Sequence, residues 1–394
     1  MAEVTNYIDR LVAELCPDGV DFYTIDELIT LDFGTRITKS KDAGTIYPVY
    51  GGGGISFRTD NYNREDKYVV SRFAMSEKCV RYVSGKFWML DSGFTYSVKD
   101  ESLLSYKYIS YWLLNAQQKI YACASQSAQR NLKTAEFKRF EVPVPPMEIQ
   151  EAIVEILDKF THLEAELEAE LEARTLQYEY YRNSVLNSFS EPAVKFYPIE
   201  ELFTTRNGYT PSKSNSSYWE NGTVPWFRME DIRENGRVLS ASLQSVNESA
   251  LKKGGMFPAG SIIVATSATI GEHALINVDF LCNQRFTVLI PKEEFKSLLL
   301  PKFLYYYSFV LDRWCLANTT QSSFASVDMK RFKKFKFPLP SLEEQQRIVD
   351  ILDRFDALTT SLSEGLPAEL AARRSQYEYY RDQLLSFPRK GENQ

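Results

Sequence analysis

The sequence predicts an α+β chain: two mixed α/β units joined by two long helices that pair antiparallel as a coiled coil, with an internal pseudo-twofold repeat. Three observations predict it. The stretch FKRFEVPVPPMEIQEAIVEILDKF, from Phe137, returns as FKKFKFPLPSLEEQQRIVDILDRF, from Phe332. Each is followed by one identical hexapeptide, Gln177 to Arg182 and Gln376 to Arg381. The phrase around Val20, Phe22, Tyr23, Ile25 and Leu28 returns around Val194, Phe196, Tyr197, Ile199 and Leu202, so the repeat is of half-chains and not of helices alone.

Bulk properties exclude several classes. At 394 residues, and about 150 residues per domain, two or three domains are expected. The opening MAEVTNYIDRL has no signal-peptide core, and no apolar run approaches the roughly 20 residues of a membrane span; a cytoplasmic chain is expected. The five cysteines have no CxxC spacing, which points to buried thiols and not to a zinc site or a disulfide framework.

In chain order, Val4, Ile8, Leu11, Val12 and Leu15 have helical spacing, and Pro17 and Gly19 end that helix, giving an N-terminal segment 1–19. A first variable unit spans 20–145 and a second 191–340, both of short strands and loops. Tyr68-Val69-Val70 and Ile262-Ile263-Val264 are strand-like, as are Phe94–Val98 and Phe286–Ile290. Each unit then has an aromatic helix, Tyr108/Tyr111/Trp112 or Tyr305/Tyr306/Tyr307, whose spacing reads as core. Prolines at 143 and 145, and at 338 and 340, turn the chain into the helical segments 146–190 and 341–394. Along the first, Ile149, Ile153, Ile156, Phe160, Leu163 and Leu167 form a seam of alternating steps of four and three. Ile348, Leu352 and Phe355 supply the partner, and Gly365-Leu366-Pro367 predicts a break with Pro367 opening the continuing helix.

Charge divides the same way. The formal net charge is −6, but Glu148 to Arg174 alone holds nine carboxylates against two basic side chains. Residues 20–140 carry 17 basic and 13 acidic side chains, and 194–337 carry 18 and 13. Two mildly basic units on an acidic helical scaffold allow nucleic acid as a partner.

No catalytic, cofactor-binding or metal-binding residue can be assigned. The two histidines, His162 in the coiled coil and His273 in a loop, have no HExxH, Ser-His-Asp or Cys-His context. Gly51 to Gly54 lacks the Lys-Ser/Thr of a phosphate-binding loop, and no methyltransferase or nuclease motif is found. The loops read better as binding surfaces. In the first unit the DNA-binding candidates are Gly52, Gly53, Ser56, Arg58, Arg72, Gln126, Ser127 and Arg130. In the second they are Thr210, Ser212, Lys213, Tyr218, Arg228, Ser267, Thr269, Arg285, Gln321 and Ser322, with Arg228 and Arg285 suited to guanine.

Taken together, these residues resemble the specificity (S) subunits of type I restriction-modification systems. The carriers are Pro143-Val144-Pro145-Pro146 through Phe160, Pro338-Leu339-Pro340 through Asp353, Gly208-Tyr209-Thr210-Pro211-Ser212 with Tyr218-Trp219 and Val224-Pro225-Trp226, and Tyr47 through Gly54. The resemblance implies that each variable unit is a target recognition domain reading one half of a split, asymmetric double-stranded DNA sequence. The helices would set the half-site spacing and dock two methyltransferase (M) subunits. Those would bring S-adenosylmethionine, and restriction (R) subunits would bring ATP and Mg; this chain would hold no cofactor, no metal and no membrane contact. Ile149 stands where the family pattern has Glu, so the first helix start is expected to be less well capped. Two other readings remain open on the residues alone: a modification enzyme with its own chemistry, and a helical scaffold that binds protein.

Overall fold

The computed structural model describes residues 2–126, 129–190, 193–320, 325–360 and 365–391. The chain forms two compact units, Met1–Glu168 with Glu369–Gln394, and Ala169–Ala368. The long helix Met147–Asn187 runs through the division, so each unit contains one variable segment and a piece of each helical segment.

The first unit opens with the helix Ala2–Leu15. Asp21–Thr24 pairs antiparallel with Glu141–Val144, so entry to and exit from the variable segment lie side by side. Thr24 then starts a short helix by a capping box, its hydroxyl accepting from Glu27 N while the Glu27 carboxylate accepts from Thr24 N. A six-stranded sheet follows in the order Ile29–Phe33, Gly93–Val98, Arg64–Ser71, Val80–Met89, Tyr47–Gly51, Gly54–Thr59. The helix Tyr106–Asn115 packs Tyr108, Ile109 and Leu113 into the core, with Tyr111 and Trp112 also buried. The aromatic run is therefore core, as its spacing implies.

The second unit repeats the frame with different filling. Lys195–Pro198 pairs with Lys336–Leu339. Its main sheet has five strands, Phe203–Asn207, Phe286–Pro291, Ser261–Ala265, His273–Ile276 and Val238–Leu239 in spatial order. A separate sheet sets Val224–Phe227 between Ser245–Val246, antiparallel, and Leu281–Cys282, parallel, as Tyr47–Gly51 in the first unit lies between Gly54–Thr59 and the end of Val80–Met89. The helix Pro301–Ala317 carries Tyr305, Tyr306 and Tyr307 inward.

One side chain ties each variable segment to its helix. Gln150 is fully buried; its Oε1 accepts from Ser105 N at 2.9 Å, and its Nε2 donates to Leu103 O (2.9 Å) and Pro145 O (2.8 Å). Gln345 does the same with Leu300 N (2.9 Å), Leu298 O (2.8 Å) and Pro340 O (2.9 Å). Two helical turns on, Asp158 accepts from Tyr111 Oη (2.6 Å) and Lys107 Nζ (2.5 Å), and Asp353 from Tyr306 Oη and Lys302 Nζ (2.9 Å). Ser341 Oγ accepts from Glu344 N at the second helix start, a place that Pro146 occupies in the first, so only the second start has this side-chain cap.

The long helices do not follow the predicted seam throughout. Ile153 is fully buried and Ile156 packs beside it in the first unit's core, which also holds Tyr377, Tyr380 and Leu384 of the last helix. Ile348 and Leu352 lie likewise in the second unit's core, which also holds Tyr178 and Leu186 of the long helix. Further along, the Phe160 ring lies 5.9 Å from Tyr380 and 6.1 Å from Tyr377. Leu163 is 48% exposed, Leu167 is half-buried, and Glu164 is the residue that meets the partner helix, at 2.6 Å from Arg374 Nε. The reason is the step: leucines every four residues advance about 400° per step, so the stripe drifts round the helix by about 40° each time. Partners fall in number from Tyr380 to Arg374 as the first helix advances from Phe160 to Glu168, so the pairing in this unit is antiparallel. In the second unit, Phe355 stacks on Tyr181 (5.7 Å) and Tyr178 (6.3 Å).

The predicted interruption is present. The helices are Leu342–Thr360 and Gly365–Leu384. Gly365 has φ +80° and lies so close to the Ala357 and Leu358 carbonyls that a Cβ would come within 2.6 and 2.7 Å of their oxygens. His273 is a correction: it begins a strand instead of lying in a loop. It is fully buried, with Nδ1 2.6 Å from Asp312, which also pairs with Arg237 at 3.2 Å. All five cysteines are buried and free. Among the described residues no helix is long and apolar enough to cross a membrane.

Candidate nucleic-acid interface

At one end of each main sheet the same loops meet in the same way. Gly34 and Gly208 follow the first sheet strand and press onto backbone carbonyls, those of Met89 and Leu90, or Cys282 and Asn283. Thr35 N then donates to Met89 O (2.9 Å) and Tyr209 N to Cys282 O (2.7 Å). Arg72 N donates to Ser92 O (2.8 Å) and Thr266 N to Arg285 O (3.0 Å); Leu132 N donates to Arg72 O (2.8 Å) and Val327 N to Thr266 O (2.9 Å). A backbone frame shared by the two units thus presents unrelated side chains.

In the second unit the frame opens a cleft of about 660 Å³. Thr210, Lys213, Arg228 and Arg285, all candidates from sequence, line it together. Thr210 Oγ1 donates to Gln284 Oε1 at 2.5 Å, and Trp226 Nε1 donates to Tyr209 O at 3.0 Å. Trp219 and Trp226 meet edge to face at 5.1 Å, and the Arg228 guanidinium lies 5.6 Å from the Trp226 ring centre. Buried Asp231 accepts from Arg228 N and Leu243 N, both at 2.6 Å, and holds this wall in place. Burial raises the Tyr209 hydroxyl pKa above its ordinary value, so that group stays a neutral donor, to Ala250 O. Three cations, two carboxylates (Glu220 and Glu230) and the amides of Gln244, Asn283 and Gln284 give donors and acceptors suited to base edges, with phosphate contacts at the cationic rim.

The other candidates divide. Ser212 is exposed beside the cleft, and its carbonyl accepts from Trp219 Nε1. Ser267 and Thr269 lie on the loop after Thr266, next to Arg285. Tyr218, next to the cleft's Trp219 in the chain, is half-buried with its ring packed against the core. Gln321 and Ser322, like Ser127, lie outside the described residues. The cleft's Trp219 and Trp226 are legible in sequence as part of aromatic motifs, whereas Gln244, Asn283 and Gln284 have no local signal: long-range pairing brings them in.

In the first unit Arg72 and Arg130 lie on adjoining segments, because Leu132 N bonds Arg72 O and Met75 N bonds Arg130 O (3.0 Å). Gln126 is exposed on the segment that leads to them. Gly52 is corrected: it is buried, a Cβ there would come within 1.7 Å of Phe73 O, and its own carbonyl accepts from Ser71 Oγ and Arg81. The close approach its lack of a side chain permits is to this protein's own loop. Gly53 next to it is exposed with open space around it. Ser56 is exposed, but on the edge strand, where Arg58 donates to Ile46 O at 2.7 Å.

The model for the type I restriction modification DNA specificity domain matches residues 17–173 and 193–372. The chain belongs to that family. As a specificity-subunit sequence it is 40% identical over 304 residues to the EcoR124I/EcoR124II specificity subunit of Escherichia coli, covering 74% of this chain and 73% of that one. Against the EcoprrI specificity subunit, also of Escherichia coli, it is 56% identical over 201 residues, and the match spans 49% of this chain and only half of that relative. The fold matches the S subunit from M. genitalium (TM-score 0.54, 18% identity, 93% of this chain and 96% of that one). It also matches a chain in a structure of the assembly and conformational transition of the type I R-M system (TM-score 0.61, 15% identity, 93% and 97%). A stand-alone modification enzyme and a non-DNA scaffold find no support in these matches.

Proposed function

We propose that this specificity subunit reads a split, asymmetric double-stranded DNA target, one half with each unit. The observation that carries the reading is the pair of loop frames: identical backbone bonds, with a polar cleft of Lys213, Arg228, Gln284 and Arg285 in one unit and Arg72, Arg130 and Gly53 in the other. One scaffold with two different reading surfaces fits two different half-sites. The chain acts without chemistry of its own. Two methyltransferase subunits dock on the repeated helices and bring S-adenosylmethionine, and restriction subunits bring ATP and Mg, all in the cytoplasm. The helical segments set the half-site spacing.

Long-read methylation mapping of cells expressing the methyltransferase with and without this chain tests the reading. The expected result is one split adenine-methylated motif that vanishes with the chain. An unchanged methylome overturns it.

A further inference from the structure

The loop at the reading end of the first unit carries a partly exposed ring. Phe73 is 36% exposed and Phe33 is 42% exposed. The Arg72 guanidinium lies over both, 4.6 Å from the Phe73 ring centre and 5.0 Å from that of Phe33. Phe33 is backed in turn by fully buried Phe94, edge to face at 5.5 Å. The loop is rigid. Ser71 N bonds Cys79 O, Phe73 N bonds Ser92 O, and Met75 N bonds Arg130 O. Gly52 closes against Phe73 O from the other side, and Ala74 takes the unfavourable φ of +49°. A strained, tightly tied apex that leaves a phenyl ring 36% exposed is a feature to explain by function.

The sister unit narrows the explanation. The matching bonds set Ser267 where the first unit has Phe73, and the next residue, Ala268, repeats the positive φ at +65°. The apex turn is therefore shared and its side chains differ, Arg72-Phe73 in one unit and Thr266-Ser267 in the other. A protein partner docking alike on both repeats would meet Phe in one unit and Ser in the other. A surface that differs between the units matches what differs in the target, the half-site. The neighbours are cationic, Arg72 and Arg130, and Gly53 leaves open room beside them, which suits a phosphate-flanked nucleobase better than an apolar protein surface.

Resting on the DNA-reading proposal above, we propose that Phe73 is a stacking wedge: in the complex its ring packs against a base that it unstacks within the half-site read by the first unit, with Phe33 and Arg72 as its support. Apolar wedges at a strained base step are a physical route to specificity without hydrogen bonds to base edges.

The test uses the full chain assembled with its methyltransferase partner on duplexes carrying 2-aminopurine at each position of both half-sites in turn, the methylated adenines excepted. A severalfold emission change at one position of the first unit's half-site is expected. It should be lost in Phe73→Ala and kept in Phe73→Trp, with affinity for the target falling roughly tenfold in Phe73→Ala while the salt dependence stays the same, since no phosphate contact is removed. Equal emission profiles and affinities for the native chain and Phe73→Ala overturn the wedge and leave DNA reading standing. An assembled native complex that prefers no split sequence overturns both.

Discussion

Gln150 and Gln345 hold equivalent places in the two halves: each amide, fully buried, spans one backbone N–H and two carbonyls where the variable segment joins its helix. The carboxamide is the only side chain of this length that accepts on one atom and donates twice from the other. Replacing either by Ala strands three backbone groups, one of them buried and two part-buried. The expected cost is about 2–3 kcal/mol, because an unsatisfied buried polar group costs about 1–3 kcal/mol. Gln→Glu should be worse, as it sets a carboxylate against two carbonyl oxygens. Urea unfolding with hydrogen exchange at residues 103–105 and 298–300 checks both; an unchanged midpoint in Gln150→Ala would remove the clamp from the account.

Within the second unit's cleft, Lys213 and Arg285 should separate by role. Lys213 is exposed at the rim, so Lys213→Ala should weaken binding to all sequences alike and lower the log–log salt slope by about 1. Arg285 lies beside Asn283 and Gln284, and Arg285→Ala should relax one position of one half-site by about 1–3 kcal/mol. Competition binding by the assembled complex, over a set of single-base variants at two salt concentrations, reads both. Uniform loss for Arg285→Ala would make it a phosphate contact.

How far the sequence carries can be judged from particular residues. The half-chain repeat, the aromatic helices and the break at Gly365 are local patterns, and periodicity or a single glycine is enough to read them. Leu163 is not, because helical spacing tells which residues share a face but not where a four-residue step carries that face out of contact. Four cleft residues, Thr210, Lys213, Arg228 and Arg285, were readable as loop polar groups. Gln244 and Asn283 were not, since only the long-range pairing around Val224–Phe227 brings them there. Gly52 misled for a related reason: a glycine signals close approach without saying to what.

Burial raises the pKa of every cysteine thiol, Cys79 to about 11 and Cys315 to about 12, from an ordinary 9.0. The sign follows from linkage. Above pH 9 the unfolded chain loses these protons and the folded chain keeps them, so stability present below pH 9 is lost as pH rises toward 11 to 12. Thermal melts should therefore fall from about pH 9, and the buried tyrosines, whose ordinary value is near 10, add to the loss as pH rises further. A Cys79→Ala, Cys315→Ala double variant should show a flatter profile between pH 9 and 10, even if it starts lower. A profile parallel to that of the native chain would assign the alkaline loss elsewhere.

The helical segment offers the last test. Leu163 to Glu166 repeats in type as Leu167 to Glu170, so deleting the first four residues leaves the same kind of sequence behind. Arg374, which holds both Glu164 and Glu168, would keep a glutamate partner. The helix shortens by about 6 Å at 1.5 Å per residue. No residue of either reading loop is touched. Methylation mapping should then return both half-site sequences unchanged, with an altered number of intervening bases or with no methylation at all. Altered bases within either half-site would mean that the helix does more than set a distance.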